Sequence, residues 1–323
     1  MDQELLRQAL DAFNLGTPRQ AVASVARGAM GEIFEVVTDR GRYALKQLFG
    51  WNDGSGARQE MTFTARARAA GVLVPAEVVG LDGEPVAVVR GTRFRAYEWF
   101  DLGAAFVPPV TVAVATSVGT ITGTLHTIAI ETDQDVDPWY TTPPTSDRLH
   151  SLADQANAEH RAWAGALADV LPALLDLAAS VRQIERTNVR WCHRDLHPSN
   201  LLPRVGGDVA VLDWENLGPL GTAQEVGSQL ISWCTDGRHA SADAVTGFLH
   251  GYRRVDGPPL TVARDTFTTA VATWLNFLAI QGEAALYAET PPEHRAFAEQ
   301  QLQQLLSRPL TAALLGEVIR AAR

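Results

Sequence analysis

Residues 191–215 read WCHRDLHPSNLLPRVGGDVAVLDWE, a polar loop followed by two apolar runs. The apolar runs cover 201–202 and 209–212, and Gly206-Gly207-Asp208 separates them. Two short β-type runs across a glycine-rich turn predict a β-hairpin. Because a hairpin brings its far end back to its start, we expect the residue after the second run, Asp213, to lie beside the polar loop.

Three oxygen-bearing side chains stand at fixed intervals along this stretch: Asp195, Asn200 five residues later, and Asp213 thirteen residues beyond that. Two carboxylates and an amide brought together form a hard oxygen site, which suits Mg²⁺ and phosphate better than zinc. Phosphoryl transfer needs this set, because one carboxylate orients and deprotonates the attacking hydroxyl while the other groups hold metal ions on the phosphates. The alternative is a polar loop with scattered acids.

The pattern His-x-Asp-x-x-x-x-Asn, followed by an apolar hairpin and Asp-Trp, resembles a known family of enzymes. It is similar to the catalytic and metal-binding loops of the aminoglycoside phosphotransferase and choline kinase-like small-molecule kinases, which are relatives of the protein kinases. The resemblance implies an α+β, bilobal protein kinase-like fold. It places a β-rich nucleotide-binding lobe with one helix at residues 1–100, and a mostly helical lobe with the catalytic loop and acceptor site at 101–323. ATP and Mg²⁺ are the implied cofactors.

The resemblance also gives each residue of the loop a role. Asp195 is the catalytic residue that orients and deprotonates the acceptor hydroxyl, and Asn200 and Asp213 hold Mg²⁺. His193 holds the catalytic loop through hydrogen bonds, and His197 is expected to contact the γ-phosphate. These five residues form the predicted catalytic and metal site.

Three further polar residues take positions that the family uses near the catalytic loop. Glu215 lies two residues after the metal-binding aspartate, so we expect it to assist the metal site or to form part of the acceptor site. The pair Leu125-His126 resembles the leucine-histidine pair that closes a helix of the second lobe, which gives His126 a structural role. Glu225 falls where relatives carry an aspartate that braces the catalytic loop, so this chain departs from the pattern there.

A two-glycine turn and a unique lysine mark the predicted nucleotide site of the first lobe. The turn Gly28-Ala29-Met30-Gly31 separates two predicted strands, and glycines let backbone N–H groups approach a triphosphate without a Cβ in the way. An ordinary hairpin turn explains the same residues. Lys46 is the only lysine among 27 basic residues. The resemblance assigns Lys46 to the α- and β-phosphates and pairs it with Glu60; the alternative for Glu60 is a helix N-terminal acid.

Residues 93–100, RFRAYEWF, form an aromatic-rich predicted strand that leads into Asp101. In the resemblance this is the connection between the lobes, where backbone groups near Glu98, Trp99 and Phe100 hydrogen-bond adenine. Backbone recognition leaves no side-chain signature, so the assignment rests on position alone.

From residue 110 the apolar spacing becomes helical, and the acceptor site is expected among these helices. One periodic stretch runs over 150–184, with Pro172 marking a kink or a break. A further predicted helix at 262–287 holds Trp274 and Glu283, which the resemblance offers as acceptor-site residues. An aromatic residue at helical spacing is more often part of the core.

The net charge of −10 lies entirely in residues 101–323, because the first 100 residues carry 12 acidic and 12 basic side chains. An acidic surface disfavours nucleic-acid binding and attracts a cationic acceptor over long range; solubility is the alternative reason for the charge. No apolar run of membrane-spanning length occurs, and the amphipathic start is unlike a signal peptide. Two cysteines give no disulfide framework. These features predict a cytoplasmic protein.

Taken together, the residues and the resemblance predict an ATP- and Mg²⁺-dependent phosphotransferase that moves the γ-phosphate to a hydroxyl of a small molecule. An amino sugar or aminoglycoside-type antibiotic is the expected acceptor, in which case the activity would confer antibiotic resistance. A choline, ethanolamine, sugar or other metabolite kinase is the first alternative, and a nucleotide-binding pseudokinase that acts as an interaction module is the second. The acceptor hydroxyl, the choice between ATP and GTP, the oligomeric state and the biological role stay open.

Overall fold

The structure is a computed structural model that describes residues 2–28, 30–50 and 53–323. The chain forms two compact units, one of residues 1–105 and 199–217 and the other of residues 106–198 and 218–323. The hairpin that follows the polar loop therefore packs as part of the first unit. The functional division into lobes at residue 100 stays a prediction.

The first unit is built on an antiparallel sheet. Its described strands pair in the order β1-β2-β3-β6-β4, and β5 pairs with β6. The strands are β1 (Ala23–Arg27), β2 (Gly31–Val37), β3 (Arg42–Leu48), β4 (Glu77–Val78), β5 (Ala87–Val89) and β6 (Thr92–Glu98). Two helices accompany the sheet, α1 (Gln3–Ala12) and α2 (Ala57–Ala69).

Helix α1 contributes to the core of the first unit. Its apolar face, with Leu6 and Leu10, is buried in one cluster with Leu45 of β3 and Phe94 of β6. The side chain of Asp2 caps the helix by accepting a hydrogen bond from the Glu4 N–H. Burial of this face fixes the helix on the sheet, because apolar area removed from water stabilises by about 25 cal/mol per Å².

The hairpin predicted from the glycine-rich turn is confirmed. Strands β8 (Leu201–Pro203) and β9 (Val209–Val211) pair antiparallel, with Leu201 opposite Val211. Gly206 and Gly207 have φ angles of 120° and 104°, a region that residues with a Cβ rarely adopt. The turn therefore needs both glycines. A 3₁₀ turn, Trp214–Asn216, follows the hairpin.

The second unit is mostly helical. Its helices are α3 (Val112–Thr127), α4 (Ser146–Ala158), α5 (Ala164–Ser180), α6 (Thr222–Cys234), α7 (Ala242–Arg253), α8 (Thr268–Leu286), α9 (Pro292–Ser307) and α10 (Ala312–Ala321). Strands β7 (Val189–Cys192) and β10 (Gly218–Gly221) form a short antiparallel pair. Helices α3 and α7 approach so closely that a Cβ on Gly119 would lie 2.0 Å from the Phe248 carbonyl oxygen.

The break in the periodic stretch 150–184 does not fall at Pro172. Helix α4 ends at Ala158, and His160 has a left-handed φ of 53°, which stops a right-handed helix. Pro172 lies inside α5, so of the two predicted alternatives the break between helices at this residue is wrong. None of the described helices is both long and apolar enough to cross a membrane. The sheet-rich first part and helical second part confirm the predicted α+β class.

Candidate functional site

The hairpin carries the two predicted metal ligands to the same end. The Leu212 N–H donates to the Asn200 carbonyl at 2.8 Å, which extends the β8–β9 ladder by one step. Asn200 is therefore the residue before one strand and Asp213 comes just after the other. Asp213 adopts a left-handed φ of 55°, so the backbone turns sharply at this position. Carboxylate and amide oxygens at one hairpin end are the donor types that Mg²⁺ prefers.

Lys46 of β3 contacts two acids within the first unit, Asp213 and Glu215. Its Nζ is 3.2 Å from Asp213 Oδ1 and 2.8 Å from Glu215 Oε2. The side chains of Lys46 and Glu215 are 9% and 6% exposed, whereas that of Asp213 is 42% exposed. Burial raises the pKa of Glu215, and the nearby Lys46 ammonium opposes that rise. The unique lysine is thus held by two acids of the segment that follows the hairpin.

The predicted ion pair between Lys46 and Glu60 is wrong for this structure. Glu60 Oε2 lies 2.5 Å from Nη1 of Arg95, a residue of β6 that stands directly opposite Lys46 in the β3–β6 register. Arg95 also contacts Glu77, with Nη2 2.7 Å from Oε1. Because a guanidinium offers a rigid fork of donors, Arg95 binds both acids at once. Lys46 instead contacts Asp213 and Glu215, which follow the hairpin.

Arg95 is the residue that the sequence prediction missed. Its side chain is 2% exposed and forms ion pairs with two acids, Glu60 and Glu77. Burial raises the pKa of Glu77, and the Arg95 guanidinium opposes that rise. The nearby Glu60 carboxylate, which shares Arg95, raises the pKa of Glu77 further. Strand alternation places Arg95 on the face of β6 opposite to the buried Phe94 and Ala96, so no local signal in RFRAYE marked it as buried. Helix α2 is anchored further by Phe63, whose ring centroid lies 5.7 Å from that of Trp214.

The predicted glycine turn lies between β1 and β2, and Ala29 of that turn is outside the described residues. The Gly28 N–H donates to the Gly31 carbonyl at 3.0 Å, which is the bond of a hairpin turn. A Cβ on Gly31 would lie 2.4 Å from the Gln47 carbonyl oxygen, whereas one on Gly28 would meet nothing within 4 Å. Gly31 is therefore explained by strand packing, and Gly28 stands in open space.

The predicted adenine segment, Glu98 to Phe100, follows directly on β6. The Glu98 N–H donates to the Ala76 carbonyl at 2.8 Å, and the Trp99 N–H donates to the Arg42 carbonyl at 3.3 Å. The Phe100 N–H has no acceptor among the residues that the structure describes. Of the three amides, that of Phe100 is the one left for a ligand.

In the second unit, Asp195 and His197 lie side by side. His197 Nε2 is 3.1 Å from Asp195 Oδ1, and the His197 N–H donates to the Asp195 carbonyl at 3.0 Å. The imidazole expected at the γ-phosphate therefore contacts the predicted catalytic carboxylate. His193 is buried, 1% exposed, and its role in holding the loop stays a prediction.

Glu225 of α6 holds the predicted catalytic loop, although relatives carry an aspartate at this position. One carboxylate oxygen accepts the Arg194 N–H, and the other lies 2.6 Å from His126 Nε2. His126 Nδ1 lies 2.9 Å from the Tyr252 hydroxyl. Burial would raise the pKa of Glu225, but the hydrogen bond from His126, its charge and the Arg194 N–H together lower it. The longer side chain reaches both partners.

Cys192 lies close to this brace, and its Sγ, one His126 nitrogen and one Glu225 oxygen fall within 4.8 Å of one another. Burial raises the pKa of the Cys192 thiol far above its ordinary value. The thiol donates to the Leu220 carbonyl at 3.5 Å. Cys192 is therefore a packing residue, and the histidine and glutamate are already joined to each other.

Arg194, the residue before the predicted base, has a left-handed φ of 67°. Its guanidinium carbon lies 4.4 Å from the centroid of the Tyr140 ring, a cation–π contact. A Cβ on Gly218 would lie 2.6 Å from this guanidinium, so a larger residue there would displace Arg194. Tyr140 and Gly218 thus help to shape the backbone turn that presents Asp195.

Of the two acceptor-site candidates on helix α8, Glu283 lines an open pocket of about 500 Å³ in the second unit. Arg148 binds Glu283 through two hydrogen bonds, at 2.6 and 2.8 Å, which offsets its charge. Trp274 lies on the same helix, is half-buried, and is not part of the pocket wall. The structure therefore separates the two candidates.

The sequence and the fold both match known proteins. The model of the phosphotransferase enzyme family (APH) matches residues 22–260. A search of curated proteins found no match. An amicoumacin kinase solved with AMP-PNP, Ca²⁺ and Ami has a TM-score of 0.64 at 18% identity, over 96% of this chain and 95% of that one.

Two further solved structures share the fold over nearly their whole length. A spectinomycin phosphotransferase solved with ADP and spectinomycin has a TM-score of 0.67 at 12% identity, over 98% of this chain and 97% of that one. A microcompartment-associated aminopropanol kinase has a TM-score of 0.61 at 17% identity, over 99% and 100%. Identities this low show a common fold, and the named acceptors differ widely.

Proposed function

Since the chain belongs to the phosphotransferase enzyme family and is a small-molecule phosphotransferase acting on hydroxyl groups, we propose that it transfers the γ-phosphate of ATP to an amino sugar or aminoglycoside-type compound. Mg²⁺ is the proposed metal. The observation that carries this proposal is the hairpin end, where the backbone brings Asn200 and Asp213 to the same end and Asp213 lies 3.2 Å from the buried Lys46.

The residues of the first unit fit a metal–nucleotide complex. Asn200 and Asp213 offer the oxygen donors that Mg²⁺ takes, and the bound metal would neutralise charge on the β- and γ-phosphates. Lys46 would bind the α- and β-phosphates as a compact ammonium. The Phe100 N–H would donate to adenine. These roles account for why the acids and the single lysine of this chain lie together.

Asp195 would orient the acceptor hydroxyl and take its proton. The hydroxyl oxygen forms a bond to the γ-phosphorus while the bond from that phosphorus to the β-bridging oxygen breaks, which leaves ADP. The proton passes to the Asp195 carboxylate. His197, 3.1 Å from that carboxylate, would fix its orientation and stabilise its charge. Asp195 belongs to the second unit, so its meeting with the metal site is part of the proposal.

A cationic acceptor is supported by charge. Residues 101–323 carry the whole net charge of −10, and an acidic surface raises the local concentration of a cation. The amicoumacin and spectinomycin enzymes of similar fold support an antibiotic acceptor, which would make this chain a resistance enzyme. We place it in the cytoplasm, where ATP is available and where free cysteines such as Cys192 and Cys234 persist.

Release of ADP over a panel of acceptors tests the proposal. The panel should contain amino sugars, aminocyclitol and aminoglycoside antibiotics, choline, ethanolamine, aminopropanol and neutral sugars. We expect at least one amino sugar or antibiotic to raise ADP release well above the rate with water alone, and its deoxy analogue to fail. Faster ADP release with choline or a neutral sugar would show that the acceptor belongs to that class instead of the amino sugars. Bound ATP with no acceleration by any hydroxyl compound would favour the interaction module.

A further inference from the structure

Glu60 is committed to a buried ion pair that excludes the partner predicted for it. Its carboxylate contacts Arg95 at 2.5 Å, and the side chains of Arg95, Glu60 and Glu77 are 2%, 8% and 3% exposed. Arg95 Nε and Nη2 both bond to Glu77, at 2.9 and 2.7 Å. If Glu60 turned to pair with Lys46, the buried Arg95 would lose its ion pair with Glu60. Breaking a buried ion pair is destabilising.

Lys46 nevertheless needs an acid, because a buried ammonium without a partner is unfavourable. Its partners Asp213 and Glu215 differ in exposure and in their proposed roles. Asp213 is half exposed and, in the proposed function, gives its carboxylate to the metal. Glu215 is buried at 2.8 Å from the ammonium. A lysine has three donors, so one can stay on Glu215 while the others reach phosphate.

We propose that Glu215 is the positioning residue that holds Lys46 toward the nucleotide, in the place where Glu60 was expected, and that Glu60 with Arg95 anchors helix α2 instead. This inference rests on the proposed function, since it takes Lys46 to bind phosphate. It gives the segment after the hairpin two separate tasks: Asp213 serves the metal and Glu215 serves the lysine.

The local structure suits this division. Glu215 lies in the 3₁₀ turn Trp214–Asn216, and the Trp214 indole N–H donates to the Val211 carbonyl at 3.3 Å. Trp214 also packs on Phe63 of α2. The turn is thereby fixed to strand β9 and to the helix, so the Glu215 carboxylate is held at a defined distance from β3. A rigid support of this kind is what positions a functional side chain.

Matched substitutions of the two glutamates separate the alternatives. Glu215→Gln should weaken ATP binding in EDTA roughly ten- to a hundredfold, the equivalent of one charge-assisted hydrogen bond. Glu60→Gln should leave that dissociation constant within about threefold and lower the melting temperature, because Arg95 loses a partner. Glu84→Gln, an exposed acid paired with Arg58, controls for loss of charge. Weak binding in Glu60→Gln with normal binding in Glu215→Gln would overturn the inference.

The metal-free buffer removes a competing explanation. If Glu215 acted as a metal ligand, Glu215→Gln would bind ATP normally in EDTA and weakly only with Mg²⁺, and that result also overturns the inference. Asp213→Asn provides the comparison: because Asp213 contacts Lys46 and is also the proposed metal ligand, its loss of ATP affinity should be larger in buffers containing Mg²⁺ than in EDTA. Calorimetry or a fluorescent ATP analogue measures binding without turnover.

Lys46→Met distinguishes failure of the inference from failure of the proposed function. Normal ATP binding in Lys46→Met would reject the nucleotide site itself. Weak binding in Lys46→Met together with normal binding in Glu215→Gln would reject only the role of Glu215. If Glu215→Gln alone does not fold, Lys46→Met/Glu215→Gln replaces it, because it removes both buried charges. The double variant should bind ATP no more weakly than Lys46→Met; an additive loss would contradict the proposal.

Discussion

Replacing Asp195 by asparagine is expected to lower kcat roughly 10²–10⁴-fold, the range found when a positioned general base is lost. Asparagine keeps the shape of aspartate and can still face His197, but its amide cannot take a proton from the acceptor hydroxyl. Since Asp195 is not assigned to the nucleotide, the dissociation constant of ATP and the melting temperature should stay near those of the unchanged protein. Steady-state kinetics with the best acceptor, ATP calorimetry and a thermal melt measure the three quantities.

Asp176→Asn is the matched control for the Asp195 variant. Asp176 is an exposed aspartate on α5 of the same unit, so the kcat of the Asp176→Asn variant should be unchanged. An Asp195→Asn protein that turns over at near the normal rate would show that another group takes the proton. A variant that loses kcat only because it melts early would show a structural role instead.

Arg95→Met is expected to cost about 3–5 kcal/mol of unfolding free energy, the usual loss when one partner of a buried ion pair is removed. Methionine fills similar space, but Glu60 and Glu77 would remain buried with no cation between them. Denaturant unfolding measures the loss. The same change should also loosen helix α2, which amide hydrogen exchange across residues 57–69 would detect as faster exchange.

Arg42→Met is the control for the Arg95 variant. Arg42 lies on β3 and pairs with Glu35 and Asp101, but its side chain is 40% exposed, so its loss should cost at most about 1 kcal/mol. Adding Glu60→Gln and Glu77→Gln to Arg95→Met should recover part of the stability, because the uncompensated charges are gone. Equal losses for Arg42→Met and Arg95→Met would contradict the buried network.

The hairpin was predictable because its signals are local. Two glycines with positive φ between short apolar runs specify the turn, and the turn fixes where Asp213 stands relative to Asn200. The strand predicted at 93–100 was likewise placed to within a few residues, at Thr92–Glu98. The family pattern then supplied roles for residues that the hairpin alone could not distinguish.

The partner of Lys46 was not predictable, because it depends on contacts between distant segments. Lys46 and Arg95 become neighbours only through the β3–β6 register, which no local pattern fixes. Arg95 then takes Glu60, and the pairing expected from the family is lost. The boundary between α4 and α5 was also missed, since the left-handed residue His160 carries a weaker signal than Pro172.

The most direct test of the account is a crystal structure with AMP-PNP and Mn²⁺, in which anomalous scattering locates the metal. We predict a metal bound by an Asp213 carboxylate oxygen and the Asn200 amide oxygen, each at about 2.1 Å, with Asp195 facing the γ-phosphate. A metal held by other residues, or a γ-phosphate that lies out of reach of Asp195, would contradict the account.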